Sequence, residues 1–122
     1  MFKVSRGLVK EDEGIVYLLE IHLEDKVLVK IGITQRKIEE RVVEILASIF
    51  QKYRLFPYCR PKRFKKTDRI FEKEAELHRY FKDRSYKTEH KFGGSSEMFD
   101  IPLDEAVEVY EKVLKGTLDE GG

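Results

Sequence analysis

The stretch GIVYLLEIHLEDKVLVKIGIT, residues 14–34, decides the fold of this 122-residue chain. Residues 15–21 and 27–33 are two runs rich in β-branched and aromatic side chains, a composition typical of strands. Residues 24–26, Glu-Asp-Lys, form a polar connection that is short enough for a hairpin. We therefore predict two adjacent antiparallel strands.

The apolar period changes after this hairpin. Ile38, Val42, Ile45 and Ile49 follow one another at spacings of 4, 3 and 4, which predicts an amphipathic helix over residues 37–51.

A third strand is predicted after this helix, around residues 53–59, where Pro57 favours an edge position or an early end. The run RPKRFKK that follows, residues 60–66, is interpreted as a basic loop.

A second helix is predicted over residues 68–82, with Thr67 or Asp68 as its cap. Gly93-Gly94-Ser95-Ser96 indicates a flexible loop before a short extended piece at residues 97–101.

Pro102 can open a last helix, and Gly116 can end it. The element order is then β-β-α-β-α-(β)-α. This order predicts a single α+β domain over residues 1–122, with a small, mostly antiparallel sheet of about three strands flanked by helices. Residues 117–122 are expected to be a frayed tail.

The net charge of +1 conceals an uneven distribution. Residues 52–91 carry 14 Lys and Arg against 6 Asp and Glu, whereas residues 92–122 carry 2 against 8. A basic middle segment is typical of a solvated surface and equally of a polyanion-binding surface, and charge alone does not separate the two.

The single cysteine, Cys59, excludes an internal disulfide and suits a reducing cytosol. No apolar run approaches the ~20 residues of a membrane-spanning helix, so we expect a cytoplasmic protein without a membrane partner. The sequence leaves the oligomeric state open.

Two charged side chains interrupt the apolar stripes of the helices. Arg41 lies three residues after Ile38 and four before Ile45, on the apolar face of the first helix. A guanidinium in that position needs a carboxylate or an anionic ligand, unless it reaches solvent from the margin of the stripe. These alternatives remain open on the spacing alone.

Glu74 shows the same anomaly on the second helix, between Ile70 and Leu77. His78 follows four residues later, so the two side chains can meet and could surround a metal ion. The alternative is a salt bridge between Glu74 and Arg41, with His78 serving only in packing.

At this point the residues resemble a known family. Gly14-Ile15-Val16-Tyr17 and the later Lys30-Ile31-Gly32 resemble the paired motifs of GIY-YIG nucleases, closest to the phage-type branch in which the second motif reads Lys-Ile-Gly. Thr34, the Arg41 helix, the Glu74–His78 pair and the step Glu97-Met98-Phe99 follow the order of that branch over residues 14–101. Two departures are an extra residue, Val16, before the tyrosine, and Lys30 where many members have tyrosine.

The resemblance implies an endonuclease that hydrolyses phosphodiester bonds in nucleic acid, DNA rather than RNA by preference, with Mg²⁺ or Mn²⁺. Tyr17 would lie near the attacking water, Arg41 would stabilise the phosphoryl charge, Glu74 would hold the metal, and His78 would contact phosphate or carry a proton. We expect Lys30 to favour the phenolate form of Tyr17 or to contact phosphate directly.

The basic segment is expected to hold the nucleic acid, because cations with interleaved aromatic side chains suit backbone contact and base stacking. The expected contacts are Arg36, Arg60, Lys62, Arg63, Phe64, Lys65 and Lys66. Two other functions remain open: a catalytically inactive nucleic-acid-binding module, and a protein-interaction domain that uses its acidic last helix.

Overall fold

The computed structural model describes residues 12–116. Seven main elements follow one another along the chain: β1 (Gly14–Leu23), β2 (Lys26–Thr34), α1 (Ile38–Tyr53), β3 (Cys59–Thr67), α2 (Ile70–Tyr80), β4 (Met98–Phe99) and α3 (Leu103–Lys115). The strands form one antiparallel sheet in the order β3-β1-β2-β4. The predicted α+β class with a small antiparallel sheet is confirmed; the tail at residues 117–122 lies outside the described residues.

The predicted hairpin forms as a long two-stranded ribbon. Glu24 and Asp25 connect its strands with φ angles of 56° and 62°, the positive values that a type I′ turn requires at both central positions. The turn sets the register in which Tyr17 lies opposite Gly32 and Leu19 lies opposite Lys30.

Both faces of the hairpin are covered. Alternate residues of β1, including Val16 and Leu18, pack with α2 and α3, whereas Tyr17, Leu19 and Ile21 pack with α1. The fold is therefore a three-layer arrangement of α1, the sheet, and the α2–α3 pair. Burial on both faces explains why the first strand is a nearly continuous apolar run rather than an alternating one.

The third strand is displaced from its prediction. Residues 53–59 contain the end of α1 and a connection, and the predicted basic loop at residues 60–66 is instead the main part of β3. The prediction was wrong because β3 lies at the edge of the sheet, where its charged side chains reach water and conceal the strand pattern. Lysines and Pro61 are typical of an edge strand, since they discourage pairing with further chains.

The helix ends were predicted unevenly. Gly116, with a φ of 79°, ends α3 in the left-handed conformation as expected. The predicted cap of α2 is wrong: Arg69 occupies the cap position, and the Thr67 and Asp68 side chains instead accept hydrogen bonds from Lys73 Nζ at 2.6 and 3.2 Å. Within residues 12–116, none of the helices combines the length and apolar character needed to cross a bilayer.

Candidate active site

Tyr17 and Lys30 lie on the same face of the hairpin and are both fully buried. The Lys30 Nζ donates to Tyr17 Oη across 3.4 Å and lies 5.4 Å from the centroid of the phenol ring. The two groups therefore meet inside the protein, and the full burial of the lysine was not expected from the sequence.

Gly32 provides the space for the phenol. A Cβ atom at this position would lie 2.5 Å from Tyr17 Oη, 2.6 Å from its Cζ and 3.0 Å from Glu97 Oε1. The Tyr17 side chain therefore lies across the backbone of β2, and only glycine permits this approach. The glycine of the second motif thus has a specific packing role.

Arg41 reaches the same phenol from α1. Its Nε donates to Tyr17 Oη at 3.1 Å, and its Nη1 donates to Glu44 Oε1 at 3.0 Å. Burial alone would lower the pKa of Arg41, but the hydrogen bonds to Tyr17 and Glu44 raise it. The guanidinium therefore stays charged beside the phenol, with 26% of its side chain exposed. These partners replace the salt bridge to Glu74 that the sequence left open.

Glu74 approaches the cluster from α2, on the other side of the sheet. It can do so because β4 pairs with β2 only at Val29 and Lys30, so among the described residues the edge of β2 that faces away from β1 has no strand partner beyond Lys30. Only 17% of the Glu74 side chain is exposed, and its Oε2 atom is buried without a hydrogen-bond partner. Burial and then the neighbouring Glu97 carboxylate raise the pKa of Glu74.

His78 anchors α2 against the free edge of β2. Its Nε2–H donates to the carbonyl oxygen of Ile31 at 2.8 Å, and its ring packs on Phe99 with the centroids 5.2 Å apart. The same nitrogen is 3.9 Å from Glu74 Oε2. His78 is therefore next to Glu74 as predicted, but this nitrogen is engaged in holding the helix in place.

Glu97 joins the cluster, although no role was expected for it beyond its place in the resemblance. It ends the short 3₁₀ turn Ser95–Glu97 before β4, and its carboxylate pairs with Lys30 Nζ. Glu97 is needed here because Lys30 is buried, and a buried ammonium requires a carboxylate partner. The periodicity of the sequence could not reveal that Lys30 is buried, so it contained no signal for Glu97.

The loop that carries Glu97 is held tightly over Lys30. Gly94 has a φ of 86°, and a Cβ atom there would lie 2.7 Å from both Lys30 Cε and Nζ. The same loop is tied to the hairpin turn by Glu24, which accepts hydrogen bonds from Tyr86 Oη at 2.6 Å and from the Glu89 backbone N–H at 2.7 Å. These contacts hold the loop in the position where the Glu97 carboxylate neutralises the charge of Lys30.

The basic residues are not gathered into one surface. Arg63 pairs with Glu111 of α3 at 2.8 Å, Lys62 lies 3.7 Å from Glu20, and Arg60 stacks over Tyr58 at 5.7 Å. Four further predicted contacts are largely exposed: Arg36, Phe64, Lys65 and Lys66. Of these, Phe64 lies opposite Tyr17 in the sheet register.

The fold and this cluster define an α+β domain in which a tyrosine, a lysine, an arginine and two glutamates from separate elements converge at the free edge of β2. Within residues 12–116, no group of three or more His, Cys, Asp or Glu side chains is arranged to hold a metal ion. Any bound ion would therefore have few protein ligands.

Comparison with known proteins identifies the family. Residues 14–114 match the T5orf172 domain, so the chain belongs to the T5orf172 domain family. No curated protein and no solved structure shows a significant match to the chain.

Proposed function

We propose that this T5orf172 domain is a metal-dependent endonuclease of the GIY-YIG type that hydrolyses phosphodiester bonds in nucleic acid, with DNA as the preferred substrate. The observation that carries the proposal is a single side-chain cluster built from β1, α1 and α2: Arg41 contacts Tyr17, and Lys30 joins Tyr17 to the Glu97 carboxylate beside Glu74. The side chains of Tyr17, Arg41 and Glu74 are all of types that suit phosphoryl chemistry.

Arg41 suits the role of phosphate ligand, because a guanidinium binds two phosphate oxygens at once and its charge offsets the charge that develops there. The Tyr17 oxygen receives N–H donors from both Arg41 and Lys30. These donors hold the phenol oxygen in place, and an oxygen fixed in this way is positioned to take part in proton transfer with an attacking water.

The carboxylates of Glu74 and Glu97 fit a magnesium ion. Glu74 Oε2 is a buried carboxylate oxygen that lacks a donor, and Glu97 adds a second carboxylate beside it. Magnesium is commonly held by one or two carboxylates and keeps several waters, and Mn²⁺ accepts the same oxygen ligands. Glu74 would hold the ion, which when bound supplies charge neutralisation at the phosphate and the leaving oxygen.

The second candidate is a nucleic-acid-binding module that keeps the fold without cleaving. Two observations favour it: Tyr17 is fully buried, and Lys30 already uses the Glu97 carboxylate. In this case Lys30 would replace the metal ion as the cation of the cluster.

A cleavage assay with Mg²⁺ on branched, duplex and single-stranded DNA tests the proposal. The wild type is expected to cleave at least one substrate, whereas Glu74→Gln should lose cleavage and retain binding measured without metal. Glu108→Gln is the matched control, because Glu108 is a 67% exposed glutamate on α3 and should leave the rate unchanged.

Equal cleavage by the wild type and Glu74→Gln would contradict the proposed metal ligand. Binding to DNA without cleavage of any substrate, in Mg²⁺ and in Mn²⁺, would favour the inactive module.

A further inference from the structure

Strand alternation divides the basic run of β3 between the two sides of the sheet. Lys66 lies opposite Ile15, and Lys65 lies opposite Val16. Residues directly opposite in an antiparallel pair share a face. Ile15 packs in the α1 cluster with Tyr17, whereas Val16 packs under α2 and α3. The two neighbouring lysines therefore project to opposite sides.

The side of Lys65 faces away from Tyr17. Arg63 shares this face, opposite Leu18, and is paired with Glu111. Lys65 lines a depression together with Arg63, Lys115, Tyr110 and Glu111, so this side is basic as well. A polyanion bound here would lie beside α3, on the face of the sheet opposite Tyr17 and α1.

The side of Lys66 is the face of the sheet that Tyr17 shares. Lys66, Arg36 and Lys37 line a surface cavity of about 380 Å³ between the end of the sheet and the start of α1. Among the described residues that line the cavity, Glu40 is the one carboxylate beside these three cations, so the lining has a net positive charge. In this region Glu44 forms ion pairs with Arg36 and Arg41. Within the described part of the chain, neither Lys37 nor Lys66 lies within ion-pair distance of a carboxylate.

Glu44 links this cavity to the Tyr17 cluster. Its carboxylate accepts from Arg36, which lines the cavity, and from Arg41, which contacts Tyr17. Ile15 also lines the cavity and is two residues from Tyr17, which corresponds to about 7 Å along β1 at ~3.4 Å per strand residue. A nucleic-acid strand carries a phosphate at every nucleotide, so a strand held at Arg41 can also contact the cations of this cavity.

We infer that the substrate backbone runs from the Tyr17–Arg41 cluster over Arg36, Lys37 and Lys66, and that Arg63 and Lys65 take no part in binding. The inference rests on the proposed function for the place of the scissile phosphate. It differs from the sequence-based expectation, which has the whole basic run contact nucleic acid. The ligand that this surface fits is a phosphodiester backbone, because separate cations close to the proposed phosphate-binding arginine match its repeating charge.

The test compares Lys66→Ala with Lys65→Ala, an exposed lysine on the same strand that faces the other way. Binding of a fluorescent DNA duplex is measured by anisotropy without divalent metal over a range of NaCl concentrations. Each lost phosphate contact makes the slope of log K against log salt shallower by about 0.9. We expect this change for Lys66→Ala, a larger one for Lys37→Ala combined with Lys66→Ala, and the wild-type slope for Lys65→Ala.

Equal effects of the two single variants, no effect of either, or no DNA binding by the wild type would overturn the inference. Since the measurement needs no cleavage, it is independent of the endonuclease proposal. If the two lysine variants differ as expected but no substrate is cleaved, the binding surface is supported and the endonuclease proposal is contradicted. If DNA is cleaved but the two variants have equal salt slopes, the endonuclease proposal is supported and the binding surface is contradicted.

Discussion

Replacing Glu74 by glutamine should remove activity and make the metal-free protein more stable. Both effects follow from one atom, the buried Oε2 that has no hydrogen-bond partner. In the wild type the carboxylate is kept near Glu97 without a compensating donor, so the folded protein carries an unfavourable charge. Glutamine has nearly the same shape, is neutral, and can donate its amide N–H to Glu97.

The size of the gain follows from the burial of the carboxylate. Leaving a buried acceptor unsatisfied costs about 1–3 kcal/mol. Glutamine retains a polar group at the site, so the gain should be near the lower value, about 1 kcal/mol. For a domain of this size that gain raises Tm by roughly 4 °C.

The gain should depend on pH. The pKa of Glu74 is raised above its ordinary value of 4.5, so the wild type loses stability as pH increases from 4.5 through the raised pKa. The variant lacks this loss. The difference in Tm should therefore be small below pH 4.5 and reach its full size once the pH exceeds the raised pKa.

Differential scanning calorimetry of both proteins in a chelating buffer measures these differences, and adding Mg²⁺ provides the complementary readout. The ion should raise Tm of the wild type according to its affinity and leave the variant unchanged. A lower Tm for Glu74→Gln at neutral pH, or an equal response of both proteins to Mg²⁺, would refute the reasoning.

Three further substitutions test the cluster. Gly32→Ala should destabilise the fold by about 1–3 kcal/mol in urea unfolding and abolish cleavage, because its Cβ collides with the Tyr17 phenol; Gly93→Ala, whose Cβ would meet only Ser48 Oγ at 3.3 Å, is the control. Lys30→Met should destabilise by about 3 kcal/mol by chemical denaturation and lose cleavage, since Glu97 would be left without its cation; unchanged binding and cleavage would exclude both roles expected for Lys30. Arg41→Lys should retain the charge but reduce cleavage about 100-fold in single-turnover assays, because an ammonium cannot contact phosphate and Tyr17 as a planar fork does; a wild-type rate would show that charge alone suffices.

Local patterns in the chain were enough for much of this fold. The hairpin, α1 and the end of α3 were predicted because their signals lie within a few residues of one another: β-branched runs, helical spacing and a terminal glycine. The positions of Arg41 and Glu74 were informative for the same reason, since each interrupts an apolar stripe that is visible in the sequence. The resemblance to GIY-YIG nucleases supplied the expectation that they act together.

Other features depended on contacts between distant parts of the chain. The edge strand β3 was interpreted as a loop because its charges are tolerated only at the side of the sheet that no strand covers. Glu97 was given no role because its partner, Lys30, is 67 residues away and is buried only when β4 and the Gly94 loop close over it.

The sequence by itself therefore determined the β1–β2 hairpin and the three helices, and it indicated that Arg41 and Glu74 interrupt apolar faces. Only the tertiary structure decided which groups meet: Lys30 with Glu97, Arg41 with Tyr17 rather than Glu74, and Lys66 on the opposite side from Lys65. The physical reason is that strand register and helix packing are set by long-range contacts, and a shift of one residue in register reverses the face to which every side chain of a strand points.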